Sequence, residues 1–269
     1  VTLLSFDNHF TVDRMFLQKT HDSAFHVGHL FSGGDAADLV TTGEHGIHII
    51  PSCRELHLLQ PKIYTNDQLA NCLSQSSLTG IVVVDTSPVL DIFTRNALFA
   101  ADRVIVPVKD APSLENCKNL GRFFTDHKLS KSTLRLIPCL IDIRIHYKGP
   151  FNNPYQLLKA YAINRGFRCM EGYIAKSPKV ESLNTNPEGR VYPILTHGKS
   201  TDVHLQFMHL ARQVYLEYLE HGPVRIEKVA DNRSDVVSRE ALELRQRQQR
   251  LVHHCLCCGK AFPESGPWS

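Results

Sequence analysis

The sequence predicts an α/β fold with a mostly parallel sheet that helices cover on both faces. Short, nearly continuous apolar runs recur along the chain and alternate with stretches of helical spacing. Strands that are buried on both faces have this composition, whereas strands with one face in water alternate apolar and polar residues. One such run, residues 81–84, is closed by a single acid, Asp85. This acid therefore stands at the carboxyl end of a strand, where open parallel sheets bind their ligands.

The order of the elements follows from the same pattern. Pro51 ends the second apolar run, because proline cannot donate a hydrogen bond to the strand ladder. Pro112 and Ser113 are a plausible start for a helix over residues 114–127. Two further helices are expected over 154–166 and 205–219, and the last should face the sheet through Leu205, Met208, Leu210, Val214 and Leu219. Strands are expected near residues 1–6, 47–51, 81–85, 103–108, 134–141 and 170–174.

Composition is ordinary for a globular chain of 269 residues, with 42% hydrophobic and 21% charged residues. The net charge of +3 is too small to indicate a nucleic-acid partner by itself. No apolar run approaches the roughly 20 residues that span a bilayer. Five of the eight cysteines are scattered singly, which favours a reduced, cytosolic protein over a disulfide scaffold.

The character of the chain changes after residue 220. We expect an α/β domain over 1–220, a linker over 221–233, and a helix with a Cys-rich tail over 234–269. The spacing within the helix suits either a short coiled coil or docking on a partner, and equally a solvated helix that packs on its own domain. The residues at this spacing are Val237, Ala241, Leu244 and Leu251.

Residues 81–107 carry a more specific signal, because they contain VVVDTSP, then TRNALFAAD, then VIVPV. These segments resemble the Walker B region of the ParA/MinD group of P-loop ATPases, and the resemblance covers roughly residues 1–220. The first nine residues resemble the second strand of that group and its D-x-D-x-Q motif. Ser5 stands at the first acid position, Asp7 at the second, and His9 where glutamine is usual.

The resemblance implies ATP and Mg²⁺ as cofactors. It assigns Asp85 to the magnesium shell through a water molecule, Pro88 to the turn beside the γ-phosphate, and Asp7 to the attacking water. It places Lys176 and Pro178 in the region that contacts the adenine. The alternatives are that Asp85 only caps the following turn and that Asp7 is an exposed acid.

One part of the resembled family has no counterpart. Its Gly-rich K-G-G-x-G-K-T-T loop should precede Val1, and no such stretch occurs in the 269 residues. Without it, no row of backbone N–H groups and no lysine would hold the phosphates. We expect an N-terminally truncated P-loop ATPase that is inactive as given. The alternative is a natural protein that has lost nucleotide hydrolysis.

Two basic or cysteine-rich segments are further candidates. Lys176, Lys179, Arg190 and Lys199 align with a region where the resembled family contacts non-specific DNA, although a solvated basic loop is the plainer interpretation. Cys255 and Cys258, followed by Gly259, form half of a zinc-knuckle pattern. A structural zinc needs four ligands, so Zn²⁺ binding competes with an incidental cysteine cluster as the explanation.

The function that the resemblance implies is ATP-dependent homodimerisation that positions DNA, as in plasmid or chromosome partition, or another cargo. A ParB-like adaptor would be the partner, and the bacterial cytoplasm the setting. Two other functions stay open. The chain is either a non-catalytic scaffold of the same fold, or a metal-binding interaction module that acts through its Cys-rich tail.

Overall fold

The computed structural model describes residues 1–7, 11–17, 25–187, 190–250, 252–254 and 261–263. It describes the backbone but not the side chains of residue 11, 232–240, 244–250 and the last two segments. The chain divides into two compact units, residues 1–220 and 221–269. Each unit is described by itself below.

The first sheet of unit 1 has four strands in the order β2-β3-β1-β4. Strand β1 is central and pairs in parallel with β3 and β4, while β2 is antiparallel to β3. Its apolar face packs against two helices in a core that contains Leu4, Phe6, Leu69 and Phe93. The elements of this half are β1 (Thr2–Phe6), α1 (Thr11–Phe16), β2 (Thr41–Thr42), β3 (His48–Ile50), α2 (Leu56–Leu59), α3 (Gln68–Gln75), β4 (Val82–Thr86) and α4 (Ile92–Ala100).

The second sheet has three parallel strands in the order β5-β6-β7. Residues alternate along its central strand: Leu136 packs with α5 and α6, whereas Ile137 packs with α9 on the opposite face. Helices therefore cover this sheet on both faces, as the sequence predicts. The elements are β5 (Val104–Val108), α5 (Ala111–Asp126), β6 (Leu134–Ile141), α6 (Pro154–Asn164), β7 (Ile174–Ala175), α7 (Pro178–Asn184), α8 (Ile194–His197) and α9 (Asp202–Arg250).

The sixth predicted strand, residues 170–174, is wrong for most of its length. Only Ile174 of this range is in a strand. Before it, Cys169 makes a single bridge to Leu136, and the chain then turns at Gly172 with φ +84°. A register shift interrupts the pairing of β6 with β7 at Leu140. Strands need continuous pairing, so an apolar run that turns in its middle cannot form one.

The orientation predicted for the last helix of the domain is wrong in part. Leu205, Met208 and Leu219 are 64%, 48% and 52% exposed, so they do not face the sheet. The side of α9 that packs on the core is instead offset, because Val203 and Phe207 set its rotation. The residues that pack there are Val203, Phe207, Leu210 and Val214.

Strands β4 and β5 each leave one edge without a ladder partner in the described part of the chain. Strand β4 pairs with β1, and β5 pairs with β6, but the two belong to different sheets. Helix α4 connects them and contributes to both cores, through Phe93 to the first and Leu98 to the second. These two strands follow each other in the chain and are joined by a helix, yet they do not pair with each other in the described residues.

Unit 2 begins within α9, which runs on to Arg250, so the segment 221–233 that we expected to be a linker is helical. It ends in two antiparallel strands, β8 (Val252–His254) and β9 (Ala261–Pro263). Cys255, Cys258 and Leu251 lie outside the described residues, as do the side chains of Val237 and Leu244. In the part of the chain that is described, no helix is long and apolar enough to cross a membrane.

A fully buried amide ties α4 to α3. Asn96 is 0% exposed, and its Oδ1 accepts the backbone N–H of Leu69 at 3.0 Å. Its Nδ2 donates to the carbonyls of Thr65 and Ile92, each at 3.0 Å. Both the oxygen and the nitrogen of the amide are therefore hydrogen-bonded, which offsets the cost of removing them from water.

We expect Asn96→Ala to lower the free energy of unfolding by about 2 to 4 kcal/mol, because it leaves the buried N–H of Leu69 without its hydrogen-bond acceptor and removes two further hydrogen bonds. Urea unfolding followed by circular dichroism measures this. Asn164→Ala, at an exposed residue of α6, is the control and should cost less than about 1 kcal/mol. Equal losses in the two variants would contradict the structural role of Asn96.

Candidate functional site

The candidate site lies at the carboxyl ends of β1 and β4. The two strands pair in register with Ser5 opposite Asp85 and Phe6 opposite Thr86. Successive side chains of a strand point to opposite faces. Since Leu4, Phe6 and Val84 pack into the first core, Ser5 and Asp85 lie together on the other face of the sheet. Parallel pairing thus places two residues 80 positions apart side by side.

Asp85 and Asp7 influence each other electrostatically. Asp7 directly follows β1, and Asp85 is the fourth residue of β4. Partial burial raises the pKa of the Asp85 carboxyl, and the neighbouring Asp7 carboxyl raises this pKa further. No ion pair involves Asp85 in the described part of the chain. The structure therefore brings together the two acids that the sequence assigns to magnesium and to the attacking water.

A third acid in the site, Asp13 on α1, was missed by the sequence analysis. Its side chain is fully buried, and its Oδ2 accepts a hydrogen bond from the Ser5 hydroxyl at 3.3 Å. The backbone N–H of Ser52 donates to the same carboxyl, at 3.3 Å to Oδ1. Desolvation raises the pKa of Asp13 to about 6, the two hydrogen bonds oppose this rise, and the charges of Asp85 and Asp7 add to it.

Only the polar character of position 5 hinted at Asp13. Ser5 stands where the resembled motif has an acid, so strand β1 carries no charge at that position. Spacing alone did not single out Asp13, because the contact depends on how α1 folds back on β1. His9 lies outside the described residues, so its expected place in the motif stays a prediction.

A buried hydroxyl beside the cluster lacks a partner. Ser52 follows β3 and is 5% exposed. Its backbone N–H donates to the Asp13 carboxyl, but its Oγ has no hydrogen-bond partner among the residues that the structure describes. Buried polar atoms are rarely left in this state, and a bound water or ion is one way of satisfying them.

The turn after β4 is exposed and ends in a capped helix. Pro88 and Val89 face solvent. Asp91 then begins α4, because its side chain accepts the N–H of Thr94 at 2.9 Å. Pro88 therefore stands at the carboxyl edge of the first sheet, next to the strand that carries Asp85.

The remaining candidates lie at the end of the second sheet. Lys176 follows β7, is exposed, and its N–H donates to the carbonyl of Ile141 at 2.9 Å. Its charge contributes to lowering the pKa of Asp142, although Arg144 has the larger effect. Pro178 is exposed at the first position of α7. No recorded contact joins Lys176 or Pro178 to Asp85.

The basic residues proposed for DNA do not behave alike. Lys179 and Lys199 are exposed, as is Lys176. Arg190 is different, because its guanidinium pairs with Glu44 at 3.3 Å and lies over the ring of Tyr192. The charge of Arg190 is therefore partly compensated within the chain.

The arrangement suits a hydrated divalent cation better than a directly coordinated one. Carboxylate oxygens are the ligands that Mg²⁺ prefers, and this ion usually keeps several waters. Among the described residues, no group of three or more His, Cys, Asp or Glu side chains is arranged to hold a metal directly. Asp7, Asp13 and Asp85 do, however, concentrate negative charge at one edge of the sheet.

Comparison with known proteins supports the fold. The sequence profile of a family described as AAA domain matches residues 22–134. Comparison with curated proteins returns no match. Among solved structures, a plasmid partition protein from Borrelia burgdorferi B31 bound to AMPPNP has a TM-score of 0.59 and 16% identity. The match covers 80% of this chain and 85% of that one.

Two other solved structures are similar. The apo form of McdA from Cyanothece has a TM-score of 0.61 and 15% identity, covering 79% of this chain and 86% of that one. Cobyrinic acid a,c-diamide synthase from Mycobacterium smegmatis, with a bound ATP analogue and magnesium, has a TM-score of 0.53 and 17% identity. Its match covers 65% of this chain and 74% of that one. At such identities the likeness concerns the fold.

The pKa of Asp13 predicts how stability depends on pH. In the folded state this pKa is about 6, against an ordinary value of 3.8. Between about pH 4 and pH 6 the folded protein therefore holds a proton that the unfolded chain has lost. Stability falls as pH rises through this window, by up to about 3 kcal/mol.

Urea unfolding of the wild type and of Asp13→Asn at pH 4, 5, 6 and 7 measures this effect. The variant cannot ionise at this position, so the wild type should lose stability relative to it as pH rises. Titrating groups that do not interact with Asp13 contribute equally to both proteins and cancel in the difference. A difference that stays constant across the four pH values would contradict the raised pKa.

Proposed function

We propose, for a chain with the fold of the ParA/MinD-type P-loop ATPases, that its β1/β4 edge holds the magnesium shell of a bound ATP. Asp85 would hold this shell through a water molecule, and Asp7 would orient the water that attacks the terminal phosphate. Bound Mg²⁺ supplies neutralisation of the phosphate charge, and the protein contributes positioning. The proximity of Asp7 and Asp85 is the observation that carries this proposal.

Burial and charge support the assignment of Asp85. An acid that only capped the turn after β4 would be stabilised by N–H donors, which lower the pKa of a carboxylate. Burial and the charge of Asp7 instead raise the pKa of Asp85. A cation between the two acids would relieve this repulsion. The structures of similar proteins solved with AMPPNP, or with an ATP analogue and magnesium, are consistent with this role.

The phosphates need a loop that residues 1–269 do not contain. Among the described residues, β4 and β5 each have one edge without a ladder partner, at which a further strand could pair, and Val83 of β4 is 42% exposed. A strand in this position would run beside Asp85 and would deliver the segment that follows it to the cation. A Gly-rich phosphate loop carried on such a strand would therefore lie close to Asp85.

The cargo is proposed from the similar proteins alone. One is a plasmid partition protein and another is McdA. ATP would bring two copies together as a homodimer in the bacterial cytoplasm, and the cycle would position DNA or another cargo with a ParB-like adaptor. Pro88 would shape the turn near the terminal phosphate, and Lys176 with Pro178 would lie near the base.

Metal binding tests the site without requiring hydrolysis. Free Mn²⁺, a spectroscopic substitute for Mg²⁺, is quantified by electron paramagnetic resonance in a titration of the protein. We expect Asp85→Asn to weaken Mn²⁺ binding by about 10-fold or more, because it removes the charge that holds the hydrated ion. Addition of ATP should strengthen binding to the wild type if the ion is shared with phosphates.

Asp126→Asn is the matched control, since Asp126 is an exposed acid at the last residue of α5. This variant should bind Mn²⁺ like the wild type. A wild type that binds no Mn²⁺, or an Asp85→Asn variant that binds it unchanged, would refute the site. Either result would leave the chain as a non-catalytic scaffold of the same fold.

Contact with DNA is proposed for the exposed lysines around α7. Lys176 and Lys179 are three residues apart and both face solvent, and Lys199 is exposed farther along the chain. Lysine contacts to phosphates need no sequence reading and weaken as salt is raised. Arg190 contributes less, because Glu44 already pairs with it.

The double variant Lys176→Glu/Lys179→Glu should lose most of its affinity for a duplex of arbitrary sequence at low salt. The slope of log affinity against log salt should also fall by about 2, one unit for each lost phosphate contact. Fluorescence anisotropy with a labelled duplex measures both quantities.

The matched control is Lys128→Glu/Lys131→Glu, which changes net charge equally at exposed lysines after α5. If both double variants lose the same affinity, general charge and not the α7 segment is responsible. Unchanged binding by Lys176→Glu/Lys179→Glu would exclude a contact there.

A further inference from the structure

Ser5, at the position where the D-x-D-x-Q motif has its first acid, is hydrogen-bonded to the carboxyl group of Asp13. Ser5 occupies that position and is fully buried. Its hydroxyl donates to Asp13 Oδ2 at 3.3 Å, so the carboxyl group that is hydrogen-bonded to this position belongs to helix α1 and not to strand β1. We propose that Asp13 is a positioning residue that acts through Ser5 and supplies this site with the charge that position 5 lacks. This inference rests on the proposed magnesium site.

The cost of burying Asp13 argues for such a role. A buried carboxyl is unfavourable unless hydrogen bonds or a cation compensate it. Among the described residues, Asp13 has two hydrogen-bond donors, the Ser5 hydroxyl and the Ser52 N–H, and the shortest distance to each is long, at 3.3 Å. No ion pair with Asp13 occurs in the described part of the chain. A helix anchor needs no charge at this place, since an apolar or amide side chain would fill it at lower cost.

Ser5 would transmit the effect of the Asp13 charge because its hydroxyl is polarised by the carboxylate to which it donates. A hydroxyl that donates its proton to a carboxylate has its own oxygen lone pairs available as acceptors, and the carboxylate makes that oxygen more negative. Ser5 stands directly opposite Asp85 in the ladder. A water of a hydrated cation held by Asp85 can therefore donate to Ser5, while Asp13 fixes the orientation of the hydroxyl.

The unpaired hydroxyl of Ser52 is an independent sign that something polar is bound here. Its Oγ is buried without a partner among the described residues, while its N–H holds Asp13. A water in the outer shell of a cation would satisfy it. Three side chains from β1, α1 and the segment after β3 would then meet around one hydrated ion: Ser5, Asp13 and Ser52.

Exchanging the two side chains tests the proposal. Asp13→Ser removes the charge, and the double exchange Ser5→Asp/Asp13→Ser returns it to the motif position with the same composition. We expect Mn²⁺ binding, measured by electron paramagnetic resonance, to weaken about 10-fold in Asp13→Ser and to recover to within about threefold in the double exchange. Thermal unfolding establishes that each variant is folded at the temperature of the measurement.

Asp13→Asn provides a second comparison, because it keeps the volume and an accepting oxygen and removes only the charge. We expect it to weaken Mn²⁺ binding like Asp13→Ser, whereas a purely structural Asp13 would leave the affinity of the folded variant unchanged. A folded Asp13→Asn with wild-type affinity would overturn the inference, even if Asp13→Ser does not fold.

The outcomes separate this inference from the function it rests on. If Asp85→Asn loses Mn²⁺ and the Asp13 variants do not, the magnesium site stands and the role of Asp13 is refuted. If the wild type does not bind Mn²⁺, both fail together. Loss in the Asp13 variants with recovery in the double exchange supports both.

Discussion

The parallel pairing of β1 with β4 is the constraint on which the candidate site depends. It sets Ser5 against Asp85, and it brings Asp7 within electrostatic reach of Asp85. Because strand side chains alternate, the pairing that buries Leu4 and Phe6 also turns Ser5 and Asp85 to the opposite face. A slip by one residue would expose the core and bury the acids among apolar side chains. The same strand register therefore determines both the packing of the first core and the placement of the acids.

At the same edge of the sheet, carboxyl groups of like charge lie close together and partly buried, which is unfavourable for their charged forms. Asp13 of α1 and Asp85 of β4 have raised pKa values, because burial and the like charge of Asp7, which follows β1, disfavour their ionisation. Packing alone would favour neutral side chains in these places. Positions that cost stability in this way are often explained by function, and a hydrated cation is the simplest group that would remove this cost.

Much of the fold was predictable from local pattern. The strands at 82–86, 104–108 and 134–141 contain nearly continuous apolar runs, and the helices α5 and α6 begin at capping residues with a proline in the first turn. The errors have specific causes. The run at 170–174 turns at Gly172, and the rotation of α9 is set by Phe207 and Val203, which compete with Leu205 for the core. Both depend on neighbours that are distant in sequence.

The sequence by itself determined the α/β class, the resemblance to P-loop ATPases and the position of Asp85 at the end of an apolar strand, because apolar runs and a motif are local properties. The tertiary structure alone decided that Asp7 lies near Asp85, that Asp13 accepts a hydrogen bond from Ser5, and that β4 and β5 do not pair with each other in the described residues. Contacts between residues far apart along the chain arise only when strands pair and helices fold back on them. No spacing in the sequence encodes the distance between such residues.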